Sequence, residues 1–247
     1  LLTANHCGIG AGNAASVVVY WNFENSTCRA VGGPASGGTG NGPLTQFNTG
    51  TIFRAARAES DFTLIELDDP IASGFTPYWS GYDARNQVTA GAIGIHHPNG
   101  DEKRISFEND ATQITGYYGT TLGNATHLRI VDWDLGTTEP GSSGSPLYSP
   151  ERRIVGQLHG GDAACGNDAS DWYGRLAVSW SAGASASARL RDWLDPVGGG
   201  TTLVLDGRNE IEAPFAIGVA PASRSVCATQ GQTSFDVSVS ALQAGFN

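Results

Sequence analysis

Short runs rich in Val, Ile, Thr and aromatic residues recur along this chain, and each is closed off by Gly, Asn, Asp or Pro. The clearest are Ser16–Phe23, Asp61–Leu67, Ala90–His97, Thr126–Trp133, Arg153–Gly160 and Tyr173–Trp180. Branched and aromatic side chains fit a pleated surface, and runs this short bounded by turn formers read as strands. The pattern predicts an all-β chain, either barrels or a sandwich. The stretch Gly32–Pro43, dense in glycine, reads as a flexible loop. One segment departs from the pattern. In Ser185–Pro196, serines suit a helix start, Leu190, Trp193 and Leu194 share a face at helical spacing, and Pro196 is a stop.

A length of 247 residues suits one large domain or two small ones, and an apolar fraction of 40% can fill a sizeable core. Composition shifts after Pro196. Residues 1–205 read as the main domain and 206–214 as a linker. Residues 215–247 alternate apolar and polar side chains, as the opening strands of a truncated β-sandwich-like domain would. The chain opens abruptly on "LLTANHC" with no initiator methionine, so it is expected to be a piece of a longer precursor. With 14 Lys and Arg against 24 Asp and Glu, the net charge is −10. That opposes a nucleic-acid partner, because a phosphate backbone needs a basic face. No apolar run approaches the ~18 residues of a membrane helix, so no membrane partner is expected, and no secretory leader is visible.

The chemistry concentrates at "TEPGSSGSPLYS", Thr138–Ser149. A Gly-Ser surface turn would look the same, so a nucleophile needs support from elsewhere. Serine requires a neighbouring base, and that base an orienting group. Only five histidines are present. His6 follows an apolar strand-like run, and Asp61 heads the strongly apolar "DFTLIEL", where a carboxylate can be partly buried and orient an imidazole. The chain order is His6, Asp61, Ser143. His96, His97 and His127 read as structural, and no Cys, His and carboxylate cluster has metal spacing.

Three local sequences, "TANHC", "SDFTLIEL" and "GSSGSP", resemble the histidine, aspartate and serine motifs of chymotrypsin-fold serine proteases. Longer blocks, "VVYWNFENSTCRA", "IHHPNGDEKRIS" and "TEPGSSGSPLYSPERRIVGQLHGG", resemble bacterial lysyl endopeptidases, over roughly residues 1–205. The resemblance implies two antiparallel β-barrels, the first incomplete at its N-terminus, with a C-terminal helix. It implies a secreted, extracellular serine endopeptidase that cleaves after lysine through an acyl-enzyme and acts on protein or peptide substrates. A monomer without cofactor or metal is expected. His6 would be the general base, Asp61 its orienter and Ser143 the nucleophile, with the amides of Gly141 and Ser143 as oxyanion hole. Asp171 would receive the lysine ammonium; without the family match, a solvated loop residue beside Asp162 and Asp168 is the preferred reading. His159 and Gly160 would face the substrate. The family stacks a Trp on this His; here "ITGYYGTT" offers Tyr118, with Tyr117 one residue away. Vertebrate trypsin-like enzymes carry Asp before the nucleophile, where this chain has Ser142, so activation by a freed N-terminus cannot operate in the same way.

Four cysteines suggest two bridges by count alone. The resemblance instead sends the partners of Cys7, Cys28 and Cys165 to upstream sequence and leaves Cys227 in the second domain, in an oxidising setting. Lys103 is the single lysine among 14 basic residues. Self-protection of a lysine-specific protease and a GC-rich codon bias both account for it. Two other functions stay open: the same fold with glutamyl or arginyl specificity, and a non-catalytic protease-like binding protein.

Overall fold

The computed structural model describes residues 1–28, 39–123 and 125–209, and the backbone of two further strands, Ala216–Ala220 and Asp236–Ser240. The chain divides into two compact units, Leu1–Arg208 and Asn209–Asn247. Cys227 and most of the expected Gly32–Pro43 loop lie outside the described residues.

In the first unit, β1 (Leu2–Ala4) leads into a tight turn, and β2 (Val18–Tyr20) pairs with β3 (Phe47–Thr49) in a two-stranded ribbon. β4 (Thr51–Arg57) and β5 (Phe62–Leu67) join β1 in an antiparallel sheet of order β1-β5-β4. Phe62, Thr63, Leu64 and Ile65 are all buried, so β5 reads as an unbroken apolar run rather than an alternating one. The register pairs Ala4 with Phe62 and Leu2 with Leu64. That alignment carries the residues after β1 alongside those before β5.

The second sheet has nine strands: β6 (Gly81–Asp83), β7 (Ala92–His96), β8 (Arg104–Glu108), β9 (Gln113–Thr115), β10 (His127–Ile130), β11 (Pro146–Tyr148), β12 (Arg153–Gly161), β13 (Asp171–Arg175) and β14 (Val204–Leu205). Its main path runs β8-β7-β11-β12-β13-β10-β9, with β6 parallel to β12 and β14 beyond it. Leu128, Ile130, Trp133, Leu147, Val155, Leu158 and Tyr173 fill its core. A second cluster gathers Phe62 and Leu64 of β5 with Tyr82, Leu176, Trp180 and Leu190, tying the first sheet to the end of the second.

The all-β expectation holds, but neither sheet closes into a barrel among the described residues. Two elements also differ from their sequence reading. The expected strand Tyr173–Trp180 breaks at Arg175 into helix α1 (Leu176–Ser181), because Leu176 and Trp180, one helical turn apart, both enter the second cluster. The expected helix Ser185–Pro196 shrinks to a 3-10 turn at Ala186–Ala188 and α2 (Arg191–Leu194). Of its apolar stripe only Leu190 is fully buried, so little packing supports a longer helix. In the second unit, β15 (Ala216–Ala220) pairs antiparallel with β16 (Asp236–Ser240). No disulfide joins any two of Cys7, Cys28 and Cys165.

The two sheets meet most tightly at Gly174. A Cβ there would overlap the Ser60 carbonyl oxygen and the Gln157 amide, and Gln157 Nε2 donates to that same carbonyl at 2.7 Å. Gly174→Ala should therefore cost ~1–3 kcal/mol of overpacking and lower Tm. Gly12→Ala, where nothing lies within 4 Å of the new methyl, serves as the control. Equal melting of the two variants would refute the tight contact.

Candidate active site

His6 sits in the 3-10 turn Asn5–Cys7 that follows β1, closed by Gly8 at φ 75°. Asp61 immediately precedes β5 and has φ 53°, a left-handed conformation that Asp tolerates better than most residues. The Asn5 amide donates to the Asp61 carbonyl at 2.8 Å and fixes the two turns side by side. The Asp61 carboxylate, 2% exposed, then accepts twice from one residue: the His6 amide donates to Oδ1 at 2.9 Å, and His6 Nδ1 to Oδ2 at 2.8 Å. With its proton held on Nδ1, the ring presents a lone pair on Nε2, which lies 2.9 Å from Ser143 Oγ. The arrangement can take the serine proton as the oxygen attacks.

Ser143 occupies a loop that only glycines can form at two positions, Gly141 (φ 97°) and Gly144 (φ 82°). A Cβ on Gly144 would overlap Thr3, so the loop lies flat against β1. Three amides of the loop are already spent: Ser142 to Glu139 and Ser145 to Ser142 within it, and Gly144 to Leu158 of β12. Those of Gly141 and Ser143 make no hydrogen bond among the described residues, leaving two donors for an anionic oxygen. Of the three serines, Ser142 Oγ meets His96, and Ser145 Oγ is buried without a hydrogen-bond partner among the described residues. Ser143 alone faces His6.

Asp171 opens β13 and is 1% exposed, whereas Asp162 and Asp168 are exposed. This difference separates Asp171 from its loop. Trp133 Nε1 and Thr138 Oγ1 donate to Oδ2 at 2.8 and 2.6 Å; Oδ1 has no hydrogen bond among the described residues. Burial raises the carboxyl pKa, and the two donors oppose that rise.

His159 and Gly160 lie on β12 beside this region. Tyr117, not Tyr118, is the ring on His159: their centroids are 3.6 Å apart and the planes differ by 3°. Tyr118 instead adopts φ 54°, packs on Trp172 and donates to Asp162 at 3.0 Å. Sequence spacing does not carry which of the two tyrosines stacks. The Tyr117 hydroxyl would stand 3.3 Å from a Cβ on Gly160, so the glycine clears space beside the stacked pair. His159 Nε2 is 3.8 Å from Asp61 Oδ2, and its Nδ1 is 2.9 Å from His127 Nε2. His127, read as merely structural, therefore belongs to the group around Asp61. Ligand atoms of His6, Asp61 and His159 lie within 4.8 Å of one another. The two rings stack at 19°, and His6 Nδ1 and Asp61 Oδ2 already meet each other in the 2.8 Å hydrogen bond.

The sequence matches the family described as lysyl endopeptidase, C-terminal domain, over residues 1–174. A lysyl endopeptidase of Pseudomonas aeruginosa is 33% identical over 171 residues, 66% of this chain and 34% of that protein. The chain thus spans about a third of the length of that relative. Among solved structures, the Rv3671c protease of M. tuberculosis aligns in its inactive form at 13% identity and TM-score 0.35, over 53% of this chain and 65% of that one. Its active form aligns at 14% and 0.33, over 53% and 57%.

Two histidines behind the site couple stability to acid, in the same direction as the lowered His97 and His159. Burial, with smaller effects from neighbouring charges, pushes both His96 and His127 from 6.5 down to about 4. In the unfolded chain they take protons near pH 6.5; folded, they resist until about 4. The unfolded state thus binds more protons across that window, and stability falls as pH drops through it. Asp171, with its raised pKa, works in the opposite sense only in the carboxylate range. Urea unfolding should lose about 2 kcal/mol per histidine between pH 7.5 and 5. A flat profile there would show that neither ring is buried neutral.

Proposed function

The chain belongs to the lysyl endopeptidase C-terminal-domain family, and from that premise we propose that its protein is a secreted serine endopeptidase cleaving after lysine. The observation that carries this reading is the unbroken Asp61–His6–Ser143 chain, at 2.8 and 2.9 Å, facing two unspent amides. Ser143 Oγ attacks the scissile carbonyl carbon as its proton passes to His6 Nε2. The carbonyl π pair moves onto oxygen, and the amides of Gly141 and Ser143 stabilise the resulting anion. Collapse expels the amine, which takes the proton from His6 and leaves an ester on Ser143. Water, deprotonated by His6, then releases the acid and restores Ser143. Asp61 keeps the ring in the reactive tautomer and offsets its positive charge.

Lysine preference follows from the charge at Asp171. A desolvated carboxylate with one tied oxygen and one open one is costly until a cation arrives. An ammonium is a compact donor that a single oxygen can meet, whereas a guanidinium wants a two-pronged partner. The two donors on Oδ2 leave Asp171 short of a fork for arginine. A glutamyl substrate would set two carboxylates against each other, and a purely binding role leaves the complete triad without a use. Tyr117, His159 and Gly160 would flank the bound peptide. Protein or peptide substrates and a monomeric enzyme fit this reading.

Lysyl, arginyl, glutamyl and leucyl chromogenic peptides test it. The lysyl substrate should be cleaved fastest and Ser143→Ala should cleave none. Turnover by Ser143→Ala would place the nucleophile elsewhere. Asp171→Asn should lower kcat/KM for the lysyl substrate by about a hundredfold or more, ~3 kcal/mol, with a much smaller loss for the leucyl one. An unchanged lysyl-to-leucyl ratio would remove Asp171 from specificity.

A further inference from the structure

Behind the nucleophile, a buried imidazole grips the same loop from the opposite side. His96 ends β7 and is 1% exposed. Its Nδ1 lies 2.9 Å from Ser142 Oγ and its Nε2 3.0 Å from Ser106 Oγ, with Ser106 on β8 equally buried. One order of protons satisfies every member of this group. In that order the Ser106 hydroxyl donates to the Thr137 carbonyl, 3.2 Å away, which can only accept. Ser106 Oγ must then accept from His96, which puts the ring proton on Nε2. Nδ1 is left with a lone pair, and the Ser142 hydroxyl donates to it. Every proton finds an acceptor with the ring neutral. Gly136, at φ 79°, packs so closely that a Cβ there would stand 2.7 Å from Ser106 Oγ, which leaves Ser106 little freedom. The charged and titratable groups facing the ring are His97, Arg104 and Glu139.

Ser142 is the covalent neighbour of Ser143, and the peptide between them carries one of the two unspent amides. Holding the Ser142 side chain anchors the Cα from which that peptide leaves, while the Ser145 amide holds the peptide's carbonyl at 3.1 Å. We propose that His96 is a positioning residue: through the Ser142 hydroxyl it holds the 142–143 peptide so that the Gly141 and Ser143 amides aim at one point. It touches no substrate. The inference rests on the hydrolytic reading above and says how that site is kept in order.

His96→Leu, His96→Asn, Ser142→Ala and the double variant His96→Leu/Ser142→Ala test it. Asn keeps an acceptor near the Nδ1 position, so it should restore much of what Leu loses. His96→Leu and Ser142→Ala should each lower kcat on a lysyl amide by about tenfold to a hundredfold, with KM within about twofold. A lysyl peptide aldehyde, whose adduct places an anionic oxygen on the two amides, should bind weaker by a similar factor. A lysyl peptide carboxamide, which forms no such adduct, should bind unchanged. The double variant should be no worse than the poorer single one, because both cut the same link. Additive losses, a rise in KM alone, equal weakening of both inhibitors, or His96→Asn as poor as His96→Leu would each overturn the proposal. If His96→Leu fails to fold, Ser142→Ala and His96→Asn still decide it through the inhibitor pair. Absence of turnover on any peptide by the unmodified protein would overturn the hydrolytic reading itself, and the role of His96 with it.

Discussion

A buried carboxylate that receives two hydrogen bonds from one residue organises this molecule. Asp61 is nearly inaccessible, and taking its charge out of water is costly unless donors replace the solvent. The His6 amide and ring supply them at 2.9 and 2.8 Å. Those donors exist only if the turn after β1 lies against the turn before β5, and the β1–β5 register enforces that. The same place joins the sheets. Ser60, one residue earlier, accepts from Gln157 of β12 through its carbonyl and from Ser179 of α1 through its hydroxyl. The charge, the register and the contact between sheets therefore constrain one another, and a shift in any one would disturb the others.

The parts of this arrangement that local sequence encodes were legible beforehand. "TANHC", "SDFTLIEL" and "GSSGSP" each specify a turn or a strand within a few residues, and the structure brings His6, Asp61 and Ser143 into hydrogen-bonding sequence. What stayed hidden depends on a dihedral sign or a distant partner. Tyr117 and Tyr118 are chemically equal in sequence, yet Tyr118, at positive φ, has its ring on Trp172. His96 and His127 look like isolated strand residues. Their roles come from Ser142 and His159, 46 and 32 residues away. The run Tyr173–Trp180 is apolar throughout, and periodicity cannot separate a buried strand from a buried helical turn in so short a stretch. Closure into barrels is likewise not a local property; the described strands form open sheets.

Neutral and charged buried groups divide the work around Ser143. On one side, Ser142, His96, Ser106 and Thr137 form a chain in which every proton has an acceptor and no charge is present. Such a chain can hold a backbone without carrying a charge. On the other side, the buried Asp61 carboxylate meets a ring that remains partly exposed, as the proposed proton exchange with a substrate would require. The loop between them carries the glycine turns and the two free amides.

The two buried carboxylates of the unit make opposite use of burial. Both Asp61 oxygens are engaged by His6, so the site is satisfied before anything binds. Asp171 has both donors on one oxygen, and its burial favours the protonated form. A cation brought to the open oxygen would reverse that preference, because opposite charge at short range favours the ionised carboxylate. A neutral side chain brings no charge to reverse it, and an anion would reinforce it. The unsatisfied state of Asp171 thus carries information that the satisfied state of Asp61 does not. The structural difference between them is which oxygen each donor reaches, and that is set by where Trp133, Thr138 and His6 leave their strands.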